Sequence, residues 1–262
     1  MRRAATAVVV FAASFVTLAF LVLPAIAVFT KVSPGTLASQ LSNGVVTDAL
    51  IVTLKTTLAA QLLVLVLGTP TAYVLASRRF RGRGLLVTLV ELPLVLPPAV
   101  AGLGLLVAFG RAGLIHTGIP FTQTAVVLAV AFVSSPLYVR AAIAAFEAVD
   151  QNVVAASRTL GAGRARTFFR VVMPLARAGL AAGAALALAR GIGEFGATIM
   201  FAGSLQGRTQ TLALAVYSEF DQDFTVALAV SALLVVVSAA LLVTIKWLPS
   251  LSTSRFRFAT SS

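Results

Sequence analysis

The chain has no cysteine and a single histidine in 262 residues. The first absence excludes disulfides, thiolate nucleophiles and cysteine-ligated metals. The second leaves His116 on its own, near Arg111 and Gly113 in a predicted loop and without ligand-spaced companions, so it reads as a solvated side chain rather than a metal ligand. No Ser/His/Asp arrangement and no H-E-x-x-H string occurs, so a lipid-phase enzyme has no chemistry to work with. No G-x-x-x-x-G-K-[ST] string occurs either, and the chain carries no Walker-type phosphate loop of its own. Charge is scarce: 11% of residues against 59% hydrophobic. That balance defines an integral membrane protein, and its long apolar runs make the expected fold all-α.

What is present is a series of apolar runs separated by short basic clusters. The net charge of +12 does not point to nucleic acid, because nucleic-acid binders gather their charge on a soluble face. Six membrane helices are predicted, at about 4–30, 48–77, 85–110, 123–145, 178–203 and 224–245, within one domain covering 1–262. Ala25-Ile26-Ala27 resembles a signal-peptidase site, but the apolar stretch before it is too long for a signal segment, so a retained first helix is expected. The third run holds Pro93, Pro97 and Pro98. Each proline removes a backbone N–H and clashes with the carbonyl four residues back, so this span must be kinked or broken. Freed carbonyls at membrane depth are tolerated only against protein or a water-filled path, which leaves a pathway wall and a packed kink as the two readings of Pro97 and Pro98.

Lysine and arginine orient the chain. Fifteen of the twenty fall on one side, counting Arg2, Arg3, the turn with Arg78, Arg79, Arg81 and Arg83, the stretch from Arg140 to Arg177, and Lys246, Arg255 and Arg257. Lys31, Arg111 and Arg208 fall on the other, and Lys55 and Arg190 lie within spans. The asymmetry puts both termini in the cytoplasm of a multi-pass inner-membrane protein. At the external mouth these three cations face Asp48, Glu219, Asp221 and Asp223, so no field there gathers anions. Outside, QTLALAVY is expected to form a short helix on the surface.

The largest polar interruption is 147–177, with five arginines against Glu147 and Asp150. Leu160-Gly161-Ala162-Gly163 is a turn signal between two short helical halves, and Pro174 is expected to close the second. A long basic excursion between spans lies on the cytoplasmic side, where a soluble partner can reach it.

The fifth run holds two further constellations. Gly179, Gly183, Ala187 and Gly191 recur every four residues and give a flat face, for packing within the subunit or for a subunit or moving interface. Arg190 and Glu194 are one helical turn apart in a segment otherwise fit for lipid, and read equally as a structural clamp or a gate. The literal G-x-G-x-x-G of Gly191–Gly196 lies in an apolar helix rather than after a strand, which excludes dinucleotide binding.

Ala155-Ala156-Ser157, Gly161 and Val171-Val172-Met173-Pro174 together resemble the E-A-A…G…I-x-L-P loop of ABC importer permeases. The chain departs from that motif in having Ala155 where the family usually has glutamate. Two blocks, ELPLVLPPAVAGLGLL (91–106) and GEFGATIMFAGSLQGRTQTLALAVY (193–217), look like molybdate/tungstate permeases of the sulfate–molybdate group. The resemblance implies a type I ABC importer permease fold, with 147–177 as a cytoplasmic coupling-helix loop. It implies a homodimer in membrane lipid, two cytoplasmic ABC ATPase subunits that hold the ATP and Mg, and an extracytoplasmic oxyanion-binding protein. This chain would bind no cofactor itself. Ala155, Ala156, Ser157, Arg158, Leu160, Gly161, Ala162, Gly163, Arg164 and Pro174 would dock the ATPase. Arg190, Glu194, Phe195, Thr198, Pro97 and Pro98 would line the pathway or gate. The alternatives are a sulfate/thiosulfate permease and, from another class, an ATP-independent secondary transporter or channel. The absence of an inverted repeat weighs against the latter.

Overall fold

The structure is a computed structural model and describes residues 2–253. Arg255 and Arg257, assigned above to the inner side, lie outside the described residues. Among the described residues every regular element is helical: α1 (Arg2–Lys31), α2 (Pro34–Gln40), α3 (Gly44–Ser77), α4 (Arg83–Val95), α5 (Pro98–Phe109), α6 (Gln123–Glu147), α7 (Gln151–Thr159), α8 (Arg164–Thr167), α9 (Met173–Ile192), α10 (Gly196–Ala202), α11 (Leu212–Glu219) and α12 (Phe224–Thr253). A π-helical turn, Phe168–Val172, joins α8 to α9. Five helical runs are long and apolar enough to cross a membrane, and a sixth arises if the bent pair α4–α5 counts as one span. The chain is a multi-pass membrane protein.

α6 is the central element, packed against α3, α4, α5, α9 and α10. Its buried side is mostly small or β-branched, with Ala129, Val133, Val139 and Ala142 beside the larger Tyr138 and Phe146. Small residues suit an association in which lipid is as apolar as the core and close van der Waals contact replaces the hydrophobic drive. Polar side chains tie the bundle at depth. The hydroxyls of Thr69 and Tyr138 lie 2.5 Å apart between α3 and α6. Gln61 on α3 donates to the Ala184 carbonyl on α9 at 3.0 Å. In hydrocarbon these groups have no water to turn to. α1 lies outside this body, with no residue buried from Val9 to Lys31 and α12 as its main neighbour.

The flat face of α9 packs within the subunit. A β-carbon on Gly179 or Gly183 would come within 2.6 Å of the Ala145 or Ala141 Cβ of α6, and one on Gly191 within 2.9 Å of Val130. Of the two readings of that face, intrasubunit packing is therefore the one the structure supports.

Three sequence expectations are corrected. Pro174 does not end a helix: a continuous helical run extends from Arg164 to Ile192. The π turn absorbs the proline, because Met173 N–H donates to Phe168, five residues back, and the chain passes Pro174 without a four-residue bond to lose. The fifth span, expected at 178–203, thus starts before 178 and stops at Ile192. The segment 193–203 instead turns and forms α10. Finally, α11 is not a surface helix. Leu212, Leu214 and Ala215 are fully buried, and the Leu212 N–H donates at 2.8 Å to Thr53 Oγ1 of α3.

Candidate functional site

The coupling-type loop begins where α6 ends. Asp150 caps α7, its Oδ1 accepting from the Asn152 N–H at 2.8 Å. α7 closes in a Schellman arrangement: Gly161 N–H donates to the Arg158 carbonyl (3.0 Å) and Ala162 N–H to the Ser157 carbonyl (3.1 Å). Gly161 sits at φ +84°, where an L side chain is strained. Behind the turn, Thr167 is buried and its hydroxyl lies 3.3 Å from Ser157 Oγ and 3.4 Å from the Ala162 carbonyl. These contacts fix the angle between α7 and α8. They leave Leu160 projecting from the tip, 88% exposed, beside exposed Ala155, Ala156, Arg158, Gly163 and Arg164. The turn thus presents an exposed apolar knob between Arg158 and Arg164. Pro174 is exposed on the same helical run but lies beyond the π turn, outside this cluster.

The second constellation is a pair of broken helices. α4 ends at Leu96 with extended ψ, Pro97 occupies the N-cap of α5 and Pro98 its first turn, and the two halves bend by 113°. α9 ends at Gly193, and α10 starts after Phe195. The two short halves lie on each other. A β-carbon on Gly196 would come 2.6 Å from Pro98 Cβ, and one on Gly102 would come 2.5 Å from the Ala197 carbonyl oxygen and 2.8 Å from Met200 Cβ. The structure therefore brings Pro98 together with the 194–198 segment.

Glu194 sits at this break with its side chain only 1% exposed. Its Oε1 accepts from the Ala197 N–H at 2.8 Å, satisfying one of the orphan donors of α10. Its Oε2 lies 2.7 Å from Arg190 Nη1, close enough for charge pairing though without hydrogen-bond geometry. Arg190 and Glu194 thus pair as the sequence spacing suggests, but across the end of a helix rather than along one. Thr198 is wholly buried and its hydroxyl has no partner. The Phe195 ring packs 5.3 Å from Tyr217 of α11, so the break is also tied to the external-side helix.

Sequence reasoning missed Gly102, Gly196 and Thr167. For the glycines a signal existed: each is a small residue beside a break-forming proline or carboxylate segment. Thr167 carried none. Two ion pairs also brace α4 against α6, Arg140 Nε to Glu91 Oε1 at 3.0 Å and Arg83 to Glu147.

The Gly161 turn and the broken-helix pair are joined by one continuous helical run, Arg164–Ile192, of which α9 is the main part. α9, twenty residues long, spans about 30 Å.

Residues 65–255 match the family model described as the binding-protein-dependent transport system inner membrane component, and the chain belongs to that family. It is a non-catalytic membrane subunit of such a system. The molybdenum transport system permease protein ModB of Mycobacterium tuberculosis is 43% identical over 229 residues, covering 84% of this chain and 86% of that protein. The molybdate/tungstate transport system permease protein WtpB of Pyrococcus abyssi is 34% identical over 231 residues, covering 87% and 90%. The fold is that of a solved structure described as inward facing conformations of the MetNI methionine ABC transporter, with a TM-score of 0.63 at 20% identity, covering 79% of this chain and 95% of that one.

Proposed function

We propose that this chain is the translocating subunit of an ATP-driven importer for molybdate or tungstate, working as a homodimer with two cytoplasmic ATPase subunits and an extracytoplasmic binding protein. The relatives named for molybdenum and for molybdate/tungstate support the cargo. The observation that carries the mechanism is the continuous helical run from Arg164 to Ile192, which leads from the pinned turn to the Glu194 break.

Leu160, with Ala155, Ala156, Ser157 and Arg158, seats on the ATPase, and Gly161 to Arg164 set the angle of that seat. Closure of the two ATPases on ATP draws the turns of the two protomers together, and α9 carries the displacement to the membrane interior. There, Gly196 on Pro98 and Gly102 on Ala197 oblige α5 and α10 to move as one body. Arg190, Glu194, Phe195 and Thr198 act at the break, with Glu194 holding the start of α10 in either state. Pro97 and Pro98 provide the bend that a straight helix could not. The external mouth holds no cationic field, which fits delivery of the anion by a binding protein rather than capture from solution.

The test is labelled molybdate uptake by cells carrying this permease with its ATPase and binding protein, with unlabelled tungstate or sulfate added in excess. Competition by tungstate and not by sulfate is the expected result. Equal competition by sulfate would shift the assignment to the wider oxyanion group.

A further inference from the structure

We infer that the cytoplasmic end of α3 holds an anionic phospholipid, its headgroup among Arg78, Arg158 and Arg164 and an acyl chain along the groove between α3, α4 and α6.

A cavity of about 820 Å³ opens between the end of α3 and the coupling turn, and these three arginines line it with Ser77 and Tyr73. No acidic residue lines it. Among the described residues none of the three guanidinium groups is in an ion pair, whereas Arg83, Arg140 and Arg190 all are. Three unneutralised cations around one hollow, with a hydroxyl and a phenol beside them, are suited to a phosphate group.

The hollow has apolar neighbours. Pro70 and Val74 also line a second cavity, about 570 Å³, bounded by Leu75, Phe80, Leu86 and Leu89. That cavity shares Thr71, Leu89 and Val90 with a third, about 440 Å³, which reaches Leu63, Leu105 and Phe132. Through these shared residues the three cavities adjoin in a row, a track that is cationic at the inner end and apolar beyond it. From Val74 to Leu63 it runs about 16 Å along the helix axis, the depth of one leaflet of a ~30 Å hydrocarbon core.

A hydrated oxyanion would use the arginines and leave the apolar groove without an occupant. An ATPase side chain would reach the arginines from solution and likewise leave the groove empty. A two-part amphiphile fills both parts, and anionic lipid is the one that a basic pocket at the inner leaflet attracts. Because Arg158 and Arg164 belong to the coupling turn and Arg78 to α3, the headgroup would also tie that turn to the membrane body. The inference is independent of which anion is transported.

The experiment is native mass spectrometry of the full-length permease, first alone and then with its ATPase added, titrated with phosphatidylglycerol or with phosphatidylcholine of the same acyl chains. Phosphatidylglycerol is expected to be retained at least tenfold better. Arg78→Gln and Arg158→Gln should each weaken retention about fivefold, while Arg81→Gln, in the neighbouring turn but outside the cavity, should not. Val74→Trp, which fills the junction of the two cavities and leaves the charge unchanged, should also weaken it. Equal retention of the two lipids would overturn the inference. So would displacement of the lipid by millimolar sodium molybdate with no effect of Val74→Trp, which would assign the arginines to a free anion. Loss of the lipid on addition of the ATPase would overturn it as well, by assigning the arginines to that partner.

Discussion

Gly196 lies directly against Pro98, so that the second halves of two broken helices, α10 and α5, share one contact at the point where each begins. Neither break is independent of the other: a side chain at 196 must displace Pro98 Cβ, and one at Gly102 must displace the Ala197 backbone. Gly196→Val should therefore cost about 1–3 kcal/mol and reduce uptake at normal membrane levels. Gly104→Ala, on the same α5 but with open space around it, should be neutral or stabilising by up to about 1 kcal/mol. Thermal unfolding in detergent, with uptake in parallel, separates the two.

Glu194 links Arg190 to the first turn of α10 through its two oxygens. Glu194→Ala removes both partners and should cost about 1.5–3 kcal/mol. Because Arg190 is about a third exposed and can still reach water, the loss should stay well short of that for a fully buried pair. Glu194→Gln keeps an acceptor for the Ala197 N–H and should lose less. In a double-mutant cycle, Arg190→Gln combined with Glu194→Gln should be milder than the two single losses added together. Strict additivity would show that the pair does not act as a unit.

Some of this was legible in the sequence and some was not, for identifiable reasons. The prolines at 97 and 98 announce a break because proline cannot donate, whatever surrounds it. The Gly161 turn is likewise local, since its positive φ and its bonds to Ser157 and Arg158 lie within six residues. The end of α9 was hidden because 193–203 is as apolar as the helix before it, and only the fold places the Glu194 carboxylate over the Ala197 N–H. Pro174 misled because a π turn upstream accommodates it. Burial of α11 depends on Thr53, 159 residues away. The four-residue glycine repeat showed a flat face on α9 but could not name α6 as its partner.

Leu160 projects from a turn that its own contacts do not need. Leu160→Asp should leave the melting temperature within a few degrees of the parent and abolish co-purification with the ATPase. Unchanged co-purification would remove Leu160 from the docking surface.

Thr167 works from behind that turn. Thr167→Val keeps the volume but removes the hydroxyl shared by Ser157 and the Ala162 carbonyl, at a cost of about 1 kcal/mol. The α7–α8 angle would loosen, so ATP hydrolysis stimulated by the loaded binding protein should fall while basal hydrolysis persists. Gly161→Pro should have the larger effect of the same kind, since proline cannot take φ +84° or donate to Arg158.

In the proposed function, transport is powered from the cytoplasmic turn. Its most direct test is accumulation of labelled molybdate in proteoliposomes that contain this permease and its ATPase, with ATP enclosed and the binding protein outside. Accumulation should require ATP and the binding protein, and Leu160→Asp should abolish it. Accumulation that continues without ATP, or without the ATPase, would rule out powering by the turn and make the chain a transporter in its own right.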